Sequence, residues 1–83
     1  MKSQAQLMQL IEQEIHNLKP DAPAITADTD LTAELGLDSV QVLEMITELE
    51  DHLDLSIPIN RLGDVHTAGE LSQLLVKLQQ ESA

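Results

Sequence analysis

The side chain best placed for chemistry in this sequence is the hydroxyl of Ser39, which directly follows the run Leu35-Gly36-Leu37-Asp38. The pattern of the chain puts this serine where a long loop gives way to an amphipathic, acidic helix. The adjacent residues offer no catalytic base. We therefore interpret Ser39 as a side chain that another enzyme modifies, and not as the nucleophile of a reaction that this chain catalyses.

A hydrolase does not fit this serine. The glycine-flanked nucleophile elbow is absent, since Gly36 lies three residues before Ser39 and Val40 follows it. A catalytic triad also needs a histidine beside the hydroxyl. The three histidines lie on or beside different predicted helices, at His16, His52 and His66. A chain of 83 residues leaves little room for an enclosed substrate pocket. The chain is not expected to be an enzyme.

A dedicated metal site is not expected either. The run Asp28-Thr29-Asp30 could open a calcium loop, but an EF-hand needs glycine at the sixth position and glutamate at the twelfth. Those positions hold Ala33 and Ser39. Weak binding of divalent ions to the clustered acids is the most that this pattern predicts.

Composition indicates one small domain over residues 1–83 with a single core. Hydrophobic residues make up 42% of the chain and none is aromatic, and aliphatic residues spaced three or four apart favour helices. The absence of cysteine excludes a disulfide scaffold and a cysteine-based zinc site. No apolar run is long enough to span a membrane and no signal pattern opens the chain, so a cytoplasmic location is expected.

The charge of the chain is strongly negative, with a formal net charge of −11. Ten of the fifteen acidic residues lie between Lys19 and Arg61, a stretch without any lysine or arginine. This sign excludes a nucleic-acid binder, which must neutralise phosphates. An acidic surface favours basic protein partners, although the same charges could serve only to keep a small protein soluble.

The first predicted helix runs from about Gln4 to Leu18. Ser3 and Gln6 fit a capping box at its start, and Pro20 helps to stop it. Residues 19–38 then form a long connection, and a loop of this length in a small domain is often functional. Three apolar residues are expected to pin it to the core: Ile25, Leu31 and Leu35.

The second predicted helix begins at Asp38 or Ser39 and ends near Leu53, with a capping box from Asp38 to Gln41. Its apolar stripe is predicted to comprise Val40, Leu43, Ile46 and Leu49, widened by Val42, Met45 and Leu53. Its acidic face is predicted to comprise Glu44, Glu48 and Asp51, which follow helical spacing.

The remaining chain predicts one short helix and one long helix. Pro58 blocks helix continuation, and residues 59–63 are expected to form a single turn ending at Gly63. The last helix has a capping box from Thr67 to Glu70. Its predicted buried stripe is Leu71, Leu74, Leu75 and Leu78. The expected fold is an all-α four-helix bundle, with three main helices, one short helix, and the long loop between the first two.

The run Leu35-Gly36-Leu37-Asp38-Ser39-Val40 resembles the phosphopantetheine attachment motif of acyl carrier proteins, and the similarity covers nearly the whole chain. The resemblance implies a 4′-phosphopantetheine arm on Ser39, transferred from coenzyme A by a separate phosphopantetheinyl transferase that uses magnesium. It implies that Asp38 accompanies the serine in recognition by that transferase. The thiol of the arm would hold an acyl group as a thioester, and the chain would be a monomeric carrier.

The resemblance also implies a docking surface on the second helix for basic patches of acyl-loading, acyl-transfer and condensing enzymes. The acids that match this role are Glu44, Glu50 and Asp51, and Val40 stands where the family has its apolar contact after the serine. From the residues themselves, Glu48 shares the acidic face with Glu44, and Leu37 is a second apolar residue beside the serine that could serve docking. In this family the acyl chain can lie between the helices. The residues that could line it are Val42, Ile46, Leu49, Ile57 and Ala68, although ordinary core packing explains any single one of them better.

Two departures from the family pattern thin the acidic surface at both ends. Gln41 stands where an acid is frequent, and Ile59-Asn60-Arg61 stands where acids usually follow Ile57-Pro58. A specialised polyketide or lipid pathway therefore fits as well as fatty acid biosynthesis. Two alternatives stay open from the residues. One is a peptidyl or aminoacyl carrier, which Asp38 disfavours because that branch usually has histidine there; the other is a helical adaptor in which Ser39 is only a cap.

Overall fold

The computed structural model describes residues 1–82 and consists of three long helices and one short one. The α-helices are α1 (Gln4–Leu18), α2 (Ser39–Leu53) and α3 (Ala68–Ser82), and a 3-10 helix spans Ile59–Asp64. No strand occurs among the described residues, apart from one isolated bridge. The predicted all-α bundle is confirmed. The long helices begin and end within a residue of their predicted bounds where a bound was given.

The caps that the sequence predicts for α1 and α3 are present as complete capping boxes. At α1, Gln6 N–H donates to Ser3 Oγ at 3.2 Å and Ser3 N–H donates to Gln6 Oε1 at 2.8 Å. At α3, Glu70 N–H donates to Thr67 Oγ1 at 3.1 Å and Thr67 N–H donates to Glu70 Oε1 at 3.0 Å. Each box satisfies backbone donors that a helix start leaves unpaired, which fixes where both helices begin.

The core is purely aliphatic and centres on α1, which packs against both α2 and α3. Ile15 of α1, Leu49 of α2 and Leu75 of α3 are completely buried. Burying a side chain of this kind contributes about 1.5–3 kcal/mol. Because three long helices share these contacts, an 83-residue chain without any aromatic residue can hold a fixed fold.

The long loop between α1 and α2 is tied to the start of α3. An isolated antiparallel bridge joins Asp30 to Thr67. Backbone hydrogen bonds extend it on both sides: Leu31 N–H to His66 O at 2.9 Å, Ala68 N–H to Thr29 O at 3.0 Å, and Gly69 N–H to Ala27 O at 2.9 Å. The predicted anchors Ile25, Leu31 and Leu35 are all buried. The loop is therefore an ordered part of the fold and holds the start of α2 in place.

The predicted apolar stripe of α2 is partly wrong. Val40 is 61% exposed and Leu43 is 45% exposed, whereas the buried residues of the helix are Met45, Ile46 and Leu49. Val40 and Leu43 border an open groove beside Leu18, the last residue of α1. Because α1 ends there, no described element covers these two side chains.

Among the described helices, none combines the length and the apolar character that crossing a membrane requires.

Candidate functional site

Ser39 is the first residue of α2, and its side chain is exposed. Asp38 is the N-cap: its Oδ1 accepts a hydrogen bond from Gln41 N–H at 2.8 Å, and Gln41 Oε1 accepts one from Asp38 N–H at 3.1 Å. Within residues 1–82 the hydroxyl of Ser39 has no hydrogen-bonding partner. The cap role is therefore filled by Asp38, and the serine hydroxyl is left available.

The loop that leads to Ser39 is held by contacts on both sides of Gly36. Gly36 has a φ of 68°, a left-handed conformation that glycine adopts without strain. Lys19 Nζ donates to the Leu35 carbonyl at 2.6 Å, and Leu37 N–H donates to the Leu31 carbonyl at 3.2 Å. Leu35 and Leu37 are both buried. These contacts fix the backbone just before the serine and so present its side chain outward.

The backbone around Ser39 favours negative charge. The N–H groups of Ser39 and Val40 find no acceptor within residues 1–82, as is usual for the first turn of a helix. Unpaired donors at a helix N-terminus, together with the helix dipole, stabilise an anionic group by about 0.3–1 kcal/mol. A phosphate ester on this hydroxyl would lie in that field.

The histidines do not form a catalytic pair with Ser39. His16 Nε2 lies 3.2 Å from the carbonyl oxygen of Ala22, and His52 Nε2 lies 3.1 Å from Glu14 Oε1. A general base must be within hydrogen-bond reach of the group that it deprotonates. Within residues 1–82 none of the three histidine rings, that of His66 included, hydrogen-bonds to the Ser39 hydroxyl. Within residues 1–82 the Ser39 hydroxyl is accessible, but no general base is placed to activate it.

The predicted docking residues fall into three groups. Val40 and the acids Glu44, Glu48 and Asp51 are exposed on α2. Leu37, which was predicted to serve docking, is only 3% exposed and packs in the core, so its side chain offers a partner almost no surface. Glu50 is half-buried, and its Oε2 accepts a hydrogen bond from Ile57 N–H at 2.8 Å. This acid therefore holds the chain that leaves α2 and is not a free surface charge.

An open groove of about 530 Å³ runs between the end of α1 and the start of α2. Val40 and Leu43 contribute apolar surface, while Glu44 and Glu48 contribute the acidic rim. The sequence prediction missed the groove and the role of Leu43 in it. The signal that could have found it is the end of α1 at Leu18, just before Pro20, because the groove opens where that helix stops beside the first turns of α2.

A second cavity lies between α2, the 3-10 helix and the start of α3, with a volume of about 70 Å³. Val42 and Ile46 line this cavity, whereas Leu49, Ile57 and Ala68 are buried in the surrounding core. Ligand pockets usually measure about 300–1,000 Å³. A long chain would therefore enter only if α2 and α3 moved apart.

Comparison with known proteins identifies the family. Residues 5–75 match the family described as "Phosphopantetheine attachment site". A protein assigned as an acyl carrier protein in Caulobacter vibrioides is 41% identical over 58 residues, which are 70% of this chain and 67% of that protein. An acyl carrier protein of Saccharopolyspora erythraea is 32% identical over 57 residues, which are 69% of this chain and 60% of that protein. The chain thus spans about two thirds of the length of these curated relatives.

Two solved structures share the fold. One is a protein assigned as an acyl carrier protein in Mycobacterium tuberculosis, with a TM-score of 0.78 and 28% identity, over 86% of this chain and 96% of that one. The other comes from a crystal structure of the HMG synthase of the curacin biosynthetic pathway in complex with its acetyl-donor carrier protein. It has a TM-score of 0.76 and 29% identity, over 92% of this chain and 99% of that one. Because the family match covers most of the chain and both structures share its fold, the chain belongs to the acyl carrier proteins, which carry covalent phosphopantetheine and are not enzymes.

Proposed function

We propose that Ser39 is the point at which 4′-phosphopantetheine is attached, and that the loaded chain delivers acyl intermediates to enzymes of fatty acid, polyketide or specialised lipid biosynthesis. One observation carries this proposal: the Ser39 hydroxyl is exposed and unpaired within residues 1–82, at the first residue of a capped helix. When attached, the arm supplies a terminal thiol that holds an acyl group as a thioester.

The residues around Ser39 fit this group. The serine oxygen would form a phosphodiester, and the unpaired N–H groups of Ser39 and Val40 favour the charge of that phosphate. The carboxylate of Asp38 accepts its hydrogen bond from Gln41 N–H, and so it leaves the N–H groups of Ser39 and Val40 available to the phosphate. The chain contains no cysteine, so a reactive sulfur can come only from the attached arm.

The transfer needs a second protein. Ser39 Oγ forms a bond to a phosphorus of coenzyme A, the phosphoanhydride bond of the cofactor breaks, and the nucleotide portion leaves. The hydroxyl proton must go to a base of the partner enzyme, since no side chain in residues 1–82 hydrogen-bonds to Ser39 Oγ. A separate phosphopantetheinyl transferase is therefore the first partner that we propose.

We propose that partner enzymes dock on the exposed surface of α2 that adjoins Ser39. Val40 and Leu43 would give the apolar contact, and Glu44, Glu48 and Asp51 would meet basic side chains. Charge complementarity of this kind accelerates encounter and orients it. The similar carrier protein in the curacin pathway was solved in complex with an HMG synthase, which supports a polyketide-type partner.

The test is to load the chain with an acyl-coenzyme A and a broad-specificity phosphopantetheinyl transferase, and to measure intact mass. We expect a gain of one acyl-phosphopantetheine, and loss of the acyl part alone after hydroxylamine treatment, because hydroxylamine cleaves thioesters. Ser56→Ala is the matched control, since Ser56 is also exposed, and it should load normally. Loading of Ser39→Ala, or no loading of a wild-type chain with helical circular dichroism, would contradict the proposal.

A further inference from the structure

Glu14 is a buried carboxylate at the interface of α1 and α2. It is 4% exposed and belongs to the inward face of α1, beside Ile11 and Ile15. A carboxylate is almost never fully buried unless it is paired, since removing its charge from water is costly. Within residues 1–82 its polar side-chain partner is the ring of His52, with Nε2 at 3.1 Å from Oε1. A buried acid held by an imidazole is an unusual feature for an aliphatic core.

A third side chain converges on the same point. Glu48 and His52 lie four residues apart on α2, so they share one face of the helix. One potential ligand atom from each of Glu14, Glu48 and His52 lies within 4.8 Å of the other two. Two oxygens and one nitrogen from two different helices therefore surround a common space.

We propose that Glu14, Glu48 and His52 form a site for a divalent metal ion of the zinc class, which bridges α1 and α2. Imidazole ligands suit zinc and its neighbours, whereas carboxylates alone suit calcium and magnesium. Three protein ligands with a water in the fourth position is a known zinc arrangement. Glu14 is held in place by the core, and the other two side chains complete the set from the surface.

The distances are compatible with this ion after a small adjustment. Zinc binds oxygen and nitrogen at about 2.0–2.2 Å, so ligand atoms around a tetrahedral ion lie roughly 3.4 Å apart. The contact between His52 and Glu14 is already 3.1 Å. Glu48 and His52 are exposed on α2, so their side chains can close the remaining separation without moving a helix.

The ion would lie beside the surface of α2 that we propose for docking of partner enzymes. Glu14 and Glu48 both line the groove between α1 and α2. A bound cation would neutralise their charge and tie the C-terminal half of α1 to the C-terminal half of α2. This inference does not depend on attachment of the arm, because none of the three ligands belongs to the Ser39 site.

The test is calorimetric titration of the full chain, free of any affinity tag, with zinc chloride in the presence of excess magnesium. Magnesium occupies the general acidic surface, so the remaining zinc binding reports the imidazole-containing site. We expect one zinc ion per chain, and a rise of the Tm with zinc because the ion binds the folded state. His52→Gln and Glu48→Gln should each weaken zinc binding by about tenfold or more. Loss of a residue that only hydrogen-bonds to a metal ligand already lowers metal affinity by about 10–100-fold.

The matched controls change the same residue types outside the cluster. His66→Gln and Glu44→Gln alter another exposed histidine and another exposed acid of α2, and both should bind zinc as the wild type does. The substitutions fall on exposed residues, so circular dichroism should show the wild-type helix content. No zinc binding in magnesium, or equal weakening by the control substitutions, would overturn the proposal.

Discussion

Asp38 caps α2 directly beside the exposed hydroxyl of Ser39. The aspartate therefore stabilises the helix start, while the serine hydroxyl stays available for modification. The sequence left open which of the two begins the helix. In the structure the carboxylate of Asp38 accepts the Gln41 N–H, and Ser39 is the first helical residue. Losing the Ser39 hydroxyl should therefore cost the fold little, although it removes the proposed attachment point.

We expect Asp38→Ala to lower the free energy of unfolding by about 0.5–2 kcal/mol, the usual cost of losing an N-cap. Ser39→Ala should change it by no more than about 0.5 kcal/mol, as is typical of an exposed side chain. Asp38→Asn is the control, because asparagine caps a helix as well as aspartate does. Urea denaturation measures all three. Equal losses for Asp38→Ala and Ser39→Ala would show that the hydroxyl shares the cap.

Glu44 is exposed near Ser39 and tests the proposed docking surface. We expect Glu44→Lys to slow association with the transferase several-fold at low salt and to flatten the salt dependence of kcat/KM, because it removes a charge that steers a basic partner. Its Tm should stay close to that of the wild type. Asp28→Lys makes the same charge change on an exposed loop residue. If both variants behaved alike, net charge and not this surface would set the rate.

Single-residue burial is where prediction from the sequence was weakest. Leu37 and Val40 stand on either side of Asp38 and Ser39, yet Leu37 is buried and Val40 is exposed. Glu14 stands on an apolar face and is buried with it. These outcomes depend on which neighbouring helix covers a given turn, and the pattern of a single segment does not contain that information.

At the scale of elements, the start of α3 touches the long loop very closely. A Cβ added to Gly69 would lie 2.7 Å from the carbonyl oxygen of Ala27 and 2.9 Å from its Cβ. Since the contact includes backbone, it can be relieved only by moving the loop or the helix. Gly69 is thus required by close approach of two segments that are far apart in the sequence.

We expect Gly69→Ala to lower the free energy of unfolding by about 1–3 kcal/mol, the usual cost of overpacking a buried site. Gly63→Ala is the control, because an added Cβ there meets no atom within 4 Å. Urea denaturation of both variants measures the difference. Similar stability for the two would mean that the loop yields to the added methyl group without strain.

Asp30 stabilises the turn that follows the bridge to α3. Hydrogen bonds from the backbone N–H groups of Ala33, at 2.7 Å, and Thr32, at 2.9 Å, hold the pKa of this carboxyl below its ordinary value of 3.8. A pKa that is lowered by folding contributes stability that is fully present above the unfolded value. That stability is lost as the pH falls through the folded value.

We therefore expect Asp30→Asn to lower the Tm by a constant amount above pH 3.8, and the difference from the wild type to vanish below the folded pKa. Thermal unfolding followed by circular dichroism from pH 7 to about pH 2.5 measures this. A difference that stayed constant to the lowest pH would show that the charge of Asp30 is not what stabilises the turn.

The helices and their caps were predictable because those signals are local: a capping residue, a partner three positions later and apolar residues at helical spacing. The bridge between Asp30 and Thr67 and the apolar face of α2 were not. Both depend on which segments meet in space. The groove beside Val40 follows from the same cause, since it exists only where α1 ends.

At the scale of the whole molecule, the dominant property is the net charge of −11 on 83 residues. Within the described residues one ion pair joins an arginine or lysine to an acid, that of Arg61 with Glu81 at 2.8 Å, and one further contact joins His52 to Glu14. Most of the acids therefore repel one another in the compact state without a local counter-charge. This repulsion lowers the free energy of unfolding, so the acidic surface that we propose for docking also destabilises the folded state.

We expect sodium chloride to raise the Tm, because salt screens repulsion between exposed charges. A gain of about 1 kcal/mol corresponds to roughly 4–8 °C for a domain of this size. Differential scanning calorimetry from low to high salt, without divalent ions, measures the effect. A flat dependence would show that the fold already compensates its charges.

The central claim is that Ser39 carries the phosphopantetheine arm of this acyl carrier protein. The most direct test is to purify the chain after co-expression with a phosphopantetheinyl transferase, digest it, and locate the added mass by tandem mass spectrometry. The account predicts phosphopantetheine on Ser39 and on no other serine. Phosphopantetheine on a different residue, or an unmodified Ser39 in a folded chain exposed to an active transferase, would contradict it.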